Sequence, residues 1–222
     1  MQKKTFYLYS LGCAKNTVDS NVMAQILIRA GFQFEVNPQK AQFLIVNTCG
    51  FIKPARDEAV KSLNELDGIR KRGQFLLAVG CMAEKFSDEI RVRCPGVDGI
   101  LGTRSLRNIL TLVGSLDRSL TLKKTPGDIP EAAVAPQGPS AYLKIADGCS
   151  RNCAFCAIPL IKGKWQSRSV AEICRDAREL EKAGTREIIL IAQDSTAYGR
   201  DRGESDAPVG RSEERRVGKE CR

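Results

Sequence analysis

Apolar and polar residues alternate along the first half of this chain in two distinct rhythms. Thr5–Leu11, Phe43–Asn47 and Phe75–Val79 are short apolar runs of strand length, and the continuous character of Phe43–Asn47 marks a buried strand. Between them, apolar residues recur three and four apart. Val22, Ile26 and Ala30 line one face of a helix expected over Asp19–Ala30 and stopped by Gly31. Ala59, Leu63, Leu66 and Ile69 do the same over Pro54–Arg70. Two more helices, over 84–93 and 105–116, flank a short strand at Gly99–Leu101. This alternation predicts an α/β fold with a doubly wound parallel sheet over residues 1–121.

The pattern dissolves between 122 and 139, where Pro126, Pro130, Pro136 and Pro139 accompany Lys, Gly and Ala, and this stretch reads as a linker. Periodicity then resumes. Tyr142–Ala146 reads as a strand, Ser169–Ala183 as a helix and Glu187–Ala192 as a strand, together one βαβ unit. Ser169 and Glu172 form a capping box at the helix start, and Gly184 ends it. One βαβ unit cannot bury both of its faces, so residues 140–207 read as the beginning of a larger domain. Residues 208–222 stand apart. Arg211–Arg222, RSEERRVGKECR, has neither period and resembles the in-frame translation of a sequencing-library adapter, so this tail is expected to be non-native and Cys221 not to be a ligand.

With 222 residues, 42% of them hydrophobic, the chain can bury one full core and part of a second. No run of about 18 apolar residues and no signal-like N-terminus is present, which points to a cytoplasmic protein without membrane contact. In a reducing compartment nine cysteines indicate metal or redox chemistry more than disulfides. The net charge of +9, two units of which lie in the final twelve residues, fits either an acidic partner such as RNA or a ribosomal surface, or a solvated face. Direct nucleic-acid binding is therefore left open. Histidine is absent, which removes histidine ligands and histidine bases alike.

Cys149, Cys153 and Cys156 stand at Cys-x3-Cys-x2-Cys spacing directly after a strand. Three thiolates on one tight loop suit three irons of a cubane cluster and leave the fourth iron open. An open iron of this kind binds the amino and carboxylate groups of S-adenosylmethionine, and one electron then breaks the sulfonium bond to release a carbon radical. A zinc site is the competing reading, but zinc favours paired Cys-x2-Cys arms and a fourth ligand that is not nearby. Phe155 is placed to cover an adenine ring or to pack in the core. Cys13, Cys49 and Cys81 each end a strand and precede a helix, so a parallel sheet carries all three to one edge, where a second cluster would be held. Cys94 and Cys174 lack such placement and are expected to be packing residues.

The motifs SLGCAKNTVDS at 10–20, NTCGFI at 47–52, GCMAE at 80–84, DGCSRNCAFCAIP at 147–159, KGKWQSRS at 162–169 and IAQDSTAYGRD at 191–201 resemble the methylthiotransferase family of radical S-adenosylmethionine enzymes. LGCAKN and AQDSTAYG look like its ribosomal-protein branch, RimO, and not its transfer-RNA branch. The resemblance implies two four-iron four-sulfur clusters, on Cys13, Cys49 and Cys81 and on Cys149, Cys153 and Cys156, with S-adenosylmethionine as cosubstrate. It implies a methylthio group attached to the β-carbon of an aspartate in small ribosomal subunit protein twelve, and an electron donor such as flavodoxin or ferredoxin. Arg168, Gln193 and Asp194 fall in family motifs and become candidates for holding cofactor or substrate, while Asn16 and Asp19 would orient the first loop and cap its helix. Family members continue into the rest of a partial (β/α) barrel and a C-terminal β-barrel, so this chain reads as an incomplete fragment that is inactive alone. A transfer-RNA adenosine methylthiotransferase and a non-enzymatic iron–sulfur electron carrier are the alternatives; three cysteines per set, where carriers use four, argue against the carrier.

Overall fold

The structure, a computed structural model, describes residues 4–120 and 139–202. Residues 121–138, which hold nearly all of the expected linker, and residues 203–222, which hold the expected non-native tail, lie outside them. The chain forms two compact units, Met1–Ala135 and Pro136–Arg222.

In the first unit β1 (Thr5–Ser10), β2 (Gln33–Phe34), β3 (Phe43–Thr48), β4 (Phe75–Gly80) and β5 (Gly99–Gly102) make one parallel sheet in the order β2-β1-β3-β4-β5. All six residues of β3 are buried because it is central and covered on both faces. Its side chains alternate between two cores. Leu44 and Val46, with Leu76 and Ala78 of β4, pack beneath α2 (Lys53–Ile69), α3 (Cys81–Lys85) and α4 (Ser87–Arg93) through Ala59, Leu63, Met82 and Ile90. Phe43 and Ile45, with Leu77 and Val79, pack on the other face against α1 (Ala14–Arg29) and α5 (Ile109–Leu116) through Met23, Ile26, Leu27, Ile109 and Val113. Full burial of each large aliphatic side chain contributes about 1.5–3 kcal/mol, so the period-2 alternation locks the register.

Several expectations need correction. The first helix begins at Ala14, five residues before Asp19, with Cys13 at its N-cap and no side-chain cap. Asp19 is buried inside the helix and accepts from Thr103 Oγ1 at 3.4 Å, so it caps nothing. The helix expected over 84–93 is two short helices that break at Phe86, whose ring lies under the Arg56 guanidinium at 4.4 Å. The helix expected over 105–116 starts as a 3₁₀ turn, Thr103–Asn108, before α5. Ile69, assigned to the core face of α2, is exposed in the last turn. The two-residue edge strand β2 was not foreseen.

The second unit pairs β6 (Ser140–Lys144) with β9 (Glu187–Ile191) in parallel through α7 (Val170–Lys182), which is the expected βαβ unit. Ser169 caps α7 by accepting from the Glu172 amide, and the Glu172 carboxylate accepts from the Ser169 amide in return. Ile189 and Leu190 of β9 remain exposed. A small antiparallel pair, β7 (Ala146–Asp147) with β8 (Gln166–Ser167), roots the loop that carries the three clustered cysteines, and α6 (Ile158–Lys162) follows that loop. Cys94 packs in the core as expected, but Cys174 is exposed on α7, which corrects its assignment as a packing residue.

Candidate functional site

The register of the parallel sheet aligns Ser10 with Asn47 and Asn47 with Val79. Cys13, Cys49 and Cys81 follow these positions by three, two and two residues, so all three stand at the same strand-end edge. Open α/β sheets place ligands at that edge, where strands stop and loops can splay. Close backbone approach brings the loops together. A Cβ at Gly12 would lie 2.9 Å from Cys49 Cβ, and Gly12 sits at φ +92°, a conformation suited to glycine. A Cβ at Gly50 would lie 2.8 Å from the Met82 amide nitrogen, so the Cys49 loop rests directly on the start of α3.

Exposure is graded across this edge: Cys13 is exposed, Cys49 half-buried and Cys81 buried. Among the described residues no three Cys, Asp or Glu side chains converge on the position of a single metal ion. A cubane makes a different demand, since each thiolate binds its own iron and the three sulfurs stand around the cluster instead of meeting at a point. Three cysteines on adjoining loops, without histidine and without a fourth cysteine on these loops, form a donor set suited to such a cluster. Beneath them Asn47 Oδ1 is buried and has no hydrogen-bond partner among the described residues.

In the second unit the Cys149 loop is anchored on both sides. The Cys149 amide donates to Gly163 O at 3.1 Å, the Trp165 amide donates to Ser150 Oγ at 3.1 Å, and the Cys156 amide donates to Cys153 O at 3.1 Å. Gly148, at φ +72°, crosses so close to the Lys164 carbonyl that a Cβ would lie 2.1 Å from its oxygen. The Arg151 amide points at Cys149 Sγ, 3.5 Å away. Backbone donors of this kind stabilise a thiolate and tune an iron–sulfur cluster, so the loop fits one.

Beside this loop opens a pocket of about 320 Å³, within the size range of small-molecule sites, lined by Cys149, Ser150, Arg151, Trp165, Asp194, Ala197, Arg200 and Asp201. Asp194 accepts from Thr196 Oγ1 at 2.6 Å and from the Arg151 guanidinium at 2.7 Å. These bonds hold its carboxyl below the usual carboxylate range, so it is charged at neutral pH.

The structure separates the other candidates. Asp194 lines the pocket, whereas Gln193 is half-buried beside it in sequence and is not part of the lining. Phe155 is 89% exposed and outside the lining, so it does not pack in the core. Arg168 turns its guanidinium to the fully buried Asp176 and to Lys144 O at 2.7 Å, tying α7 to β6. Sequence reasoning passed over Arg151 and Trp165, although both lie in motifs it singled out; an arginine between two candidate ligand cysteines was the available signal.

Residues 5–102 match the Uncharacterized protein family UPF0004, and residues 143–218 match the Radical SAM superfamily. A ribosomal protein uS12 methylthiotransferase RimO from Syntrophomonas wolfei is 39% identical over 201 residues, covering 86% of this chain and 46% of the relative. The RimO proteins of Herpetosiphon aurantiacus and Chlamydia caviae are 41% and 40% identical, covering 89% and 90% of this chain and 50% and 44% of themselves. The chain belongs to the methylthiotransferase family of radical S-adenosylmethionine enzymes, in its RimO branch. It spans about half the length of these curated relatives. Among solved structures, the radical S-adenosylmethionine methyltransferase TsrM from Kitasatospora setae, with cobalamin and a [4Fe-4S] cluster bound, superposes with a TM-score of 0.62 at 12% identity, covering 94% of this chain and 53% of that one. That likeness is one of fold. Membership of the family implies an iron–sulfur cluster and S-adenosylmethionine as the cofactor class. Among the described residues no helix is long and apolar enough to cross a membrane.

Proposed function

We propose that this chain carries the cluster-binding parts of a cytoplasmic methylthiotransferase that places a methylthio group on the β-carbon of an aspartate in small ribosomal subunit protein uS12. The observation that supports this most is the presence of two separate three-cysteine sets, one on each unit, in a chain about 40% identical to RimO proteins. Cys149, Cys153 and Cys156 would hold the radical-generating cluster, and Cys13, Cys49 and Cys81 an auxiliary one. Bound there, an iron–sulfur cluster supplies one-electron cleavage of S-adenosylmethionine and a site for sulfur.

The residues of the chain do the positioning. Gly148 and Gly163 bring the Cys149 loop against the 163–165 backbone, and the Arg151 amide donates to Cys149 Sγ and fixes its direction. Arg151 and Asp194, paired across the pocket wall, hold a fixed charge pattern beside that loop, suited to the amino and carboxylate groups of S-adenosylmethionine. Arg168, buried against Asp176, keeps the strand that feeds the loop in register. Gln193 and Phe155 flank this region and are proposed to contact the cosubstrate. Residues 1–121, 122–139, 140–207 and 208–222 are proposed as auxiliary-cluster domain, linker, start of the radical domain and non-native tail. A low-potential one-electron donor such as flavodoxin or ferredoxin completes the requirement.

Iron and acid-labile sulfide content with electron paramagnetic resonance, measured after anaerobic reconstitution, tests the proposal. About eight irons per chain, falling to about four when Cys149, Cys153 and Cys156 are all alanine, is the expected result. Four irons in the intact chain and none in that variant would remove the auxiliary cluster and with it the methylthiolation reading.

A further inference from the structure

Beneath the three strand-end cysteines the sheet edge is polar and sealed from water: Asn16 is 1% exposed, Asn47 0% and Ser20 4%. The Asn16 side chain spans all three cysteine-bearing strand ends. Its Nδ2 donates to Leu11 O at 2.8 Å, two residues before Cys13, and to Thr48 O at 3.3 Å, the residue before Cys49. Its Oδ1 faces Cys81 Sγ at 3.6 Å. The amide has one orientation open to it, because both carbonyls only accept, so the NH2 group must face them and the oxygen must face Cys81. Asn47 locks it from behind, donating from Nδ2 to Asn16 O at 2.8 Å and to Ser20 Oγ at 2.9 Å. A Cβ at Gly12 would lie 3.2 Å from Asn16 Nδ2, so the first loop is moulded on this side chain.

We propose that Asn16 is the positioning residue of the auxiliary site: its NH2 group ties together the strand ends that carry Cys13 and Cys49, and its oxygen accepts from the Cys81 thiol and so aims Cys81 Sγ until that proton leaves to solvent on metal binding. This rests on the reading that these three cysteines hold a cluster. The three ligands come from three separate loops, so nothing within a single loop fixes their mutual distances. Asn16 is the side chain that bonds to the first two strand ends and to the third ligand itself. Removing it leaves two buried carbonyls short of a donor and lets the loops part, and the ordering of the thiols then falls on the metal. Partners of this kind change metal affinity about 10–100-fold.

The test uses the full chain with Cys149, Cys153 and Cys156 replaced by alanine, so that only the first set can bind. Iron(II) and sulfide are supplied anaerobically, cluster assembly is followed by sulfur-to-iron absorption and the assembled iron is then titrated with a chelator, with thermal melts of the metal-free protein alongside. Asn16→Leu and Asn16→Ser remove the amide with different residual volumes. Leu63→Ala, in the core under α2, is the control for destabilisation alone. Both Asn16 variants are expected to lose their iron at about 10–100-fold lower chelator concentration, while Leu63→Ala melts lower and keeps the parent's retention. Iron retention in the Asn16 variants within about twofold of the parent, or an equal loss in Leu63→Ala, would overturn the proposal. A parent that assembles no cluster, or whose cluster survives Cys81→Ala, would instead overturn the auxiliary-cluster reading, and this proposal with it.

Discussion

Replacing Gly80 by alanine puts a methyl group where the structure has no room for one. Gly80 has φ +96° and ψ −150°, a region that residues with a Cβ almost never enter, and forcing alanine into it costs about 1–3 kcal/mol. The new Cβ would also lie 2.1 Å from Asn47 Oδ1 and 2.9 Å from Thr48 O. Asn47 would have to withdraw, breaking its bonds to Asn16 O and Ser20 Oγ, at about 0.5–1.5 kcal/mol each. A total loss of about 2–6 kcal/mol follows. Gly31→Ala is the comparison, since Gly31 also has positive φ, +91°, yet a Cβ there meets nothing within 4 Å, so its loss is about 1–2 kcal/mol. Urea unfolding followed by circular dichroism, with hydrogen exchange of peptides from β3 and β4, reads the first unit; Trp165 fluorescence reads the second. With a urea slope of about 1–3 kcal/mol per molar, the two midpoints should differ by about 1 M, with the Trp165 transition unmoved. If Gly80→Ala costs no more than Gly31→Ala, the buried amide network under the cysteines is not the rigid platform described.

Asp176→Ala leaves the Arg168 guanidinium buried without its carboxylate, and a loss of about 3–5 kcal/mol in the second unit, read by Trp165 fluorescence in urea, is expected; a loss below about 1 kcal/mol would mean that the pair is solvated. Ser169→Ala removes the α7 cap at about 1 kcal/mol and also changes the acid limb of stability. The Ser169 hydrogen bonds hold the Glu172 carboxyl below its usual range, so their contribution is complete above the ordinary carboxylate pKa and fades as pH falls through the lowered one. The variant's stability should therefore fall less steeply with acid than the parent's. An unchanged slope would assign the acid loss to other carboxylates.

Local pattern made four of the five strands of the first sheet, the βαβ unit and the capping box of α7 readable, because each depends on residues within a few positions of one another. It also brought the six cysteines into two sets: one set shares a loop, and the members of the other share a role at strand ends, which parallel pairing converts into a shared edge. What sequence could not supply were decisions made by distant partners. Arg56 stacking on Phe86 accompanies the break between α3 and α4, the last turn of α2 leaves Ile69 outside the core, and Cys174 is exposed on a helix whose buried residues are Asp176 and Leu180.

Sequence by itself therefore determined the main alternation of strands and helices, the chemical identity of both candidate cluster loops and the family to which they belong. Only the tertiary structure decided what holds those loops in place. Arg168, just ahead of α7, joins Asp176 of that helix to the Lys144 carbonyl of β6, and Asn16 reaches Leu11, Thr48 and Cys81 on three strand ends. Such bonds form because burial leaves a polar group no water to turn to, and which partner it finds is set by the packing of elements, a quantity that no local run of residues contains.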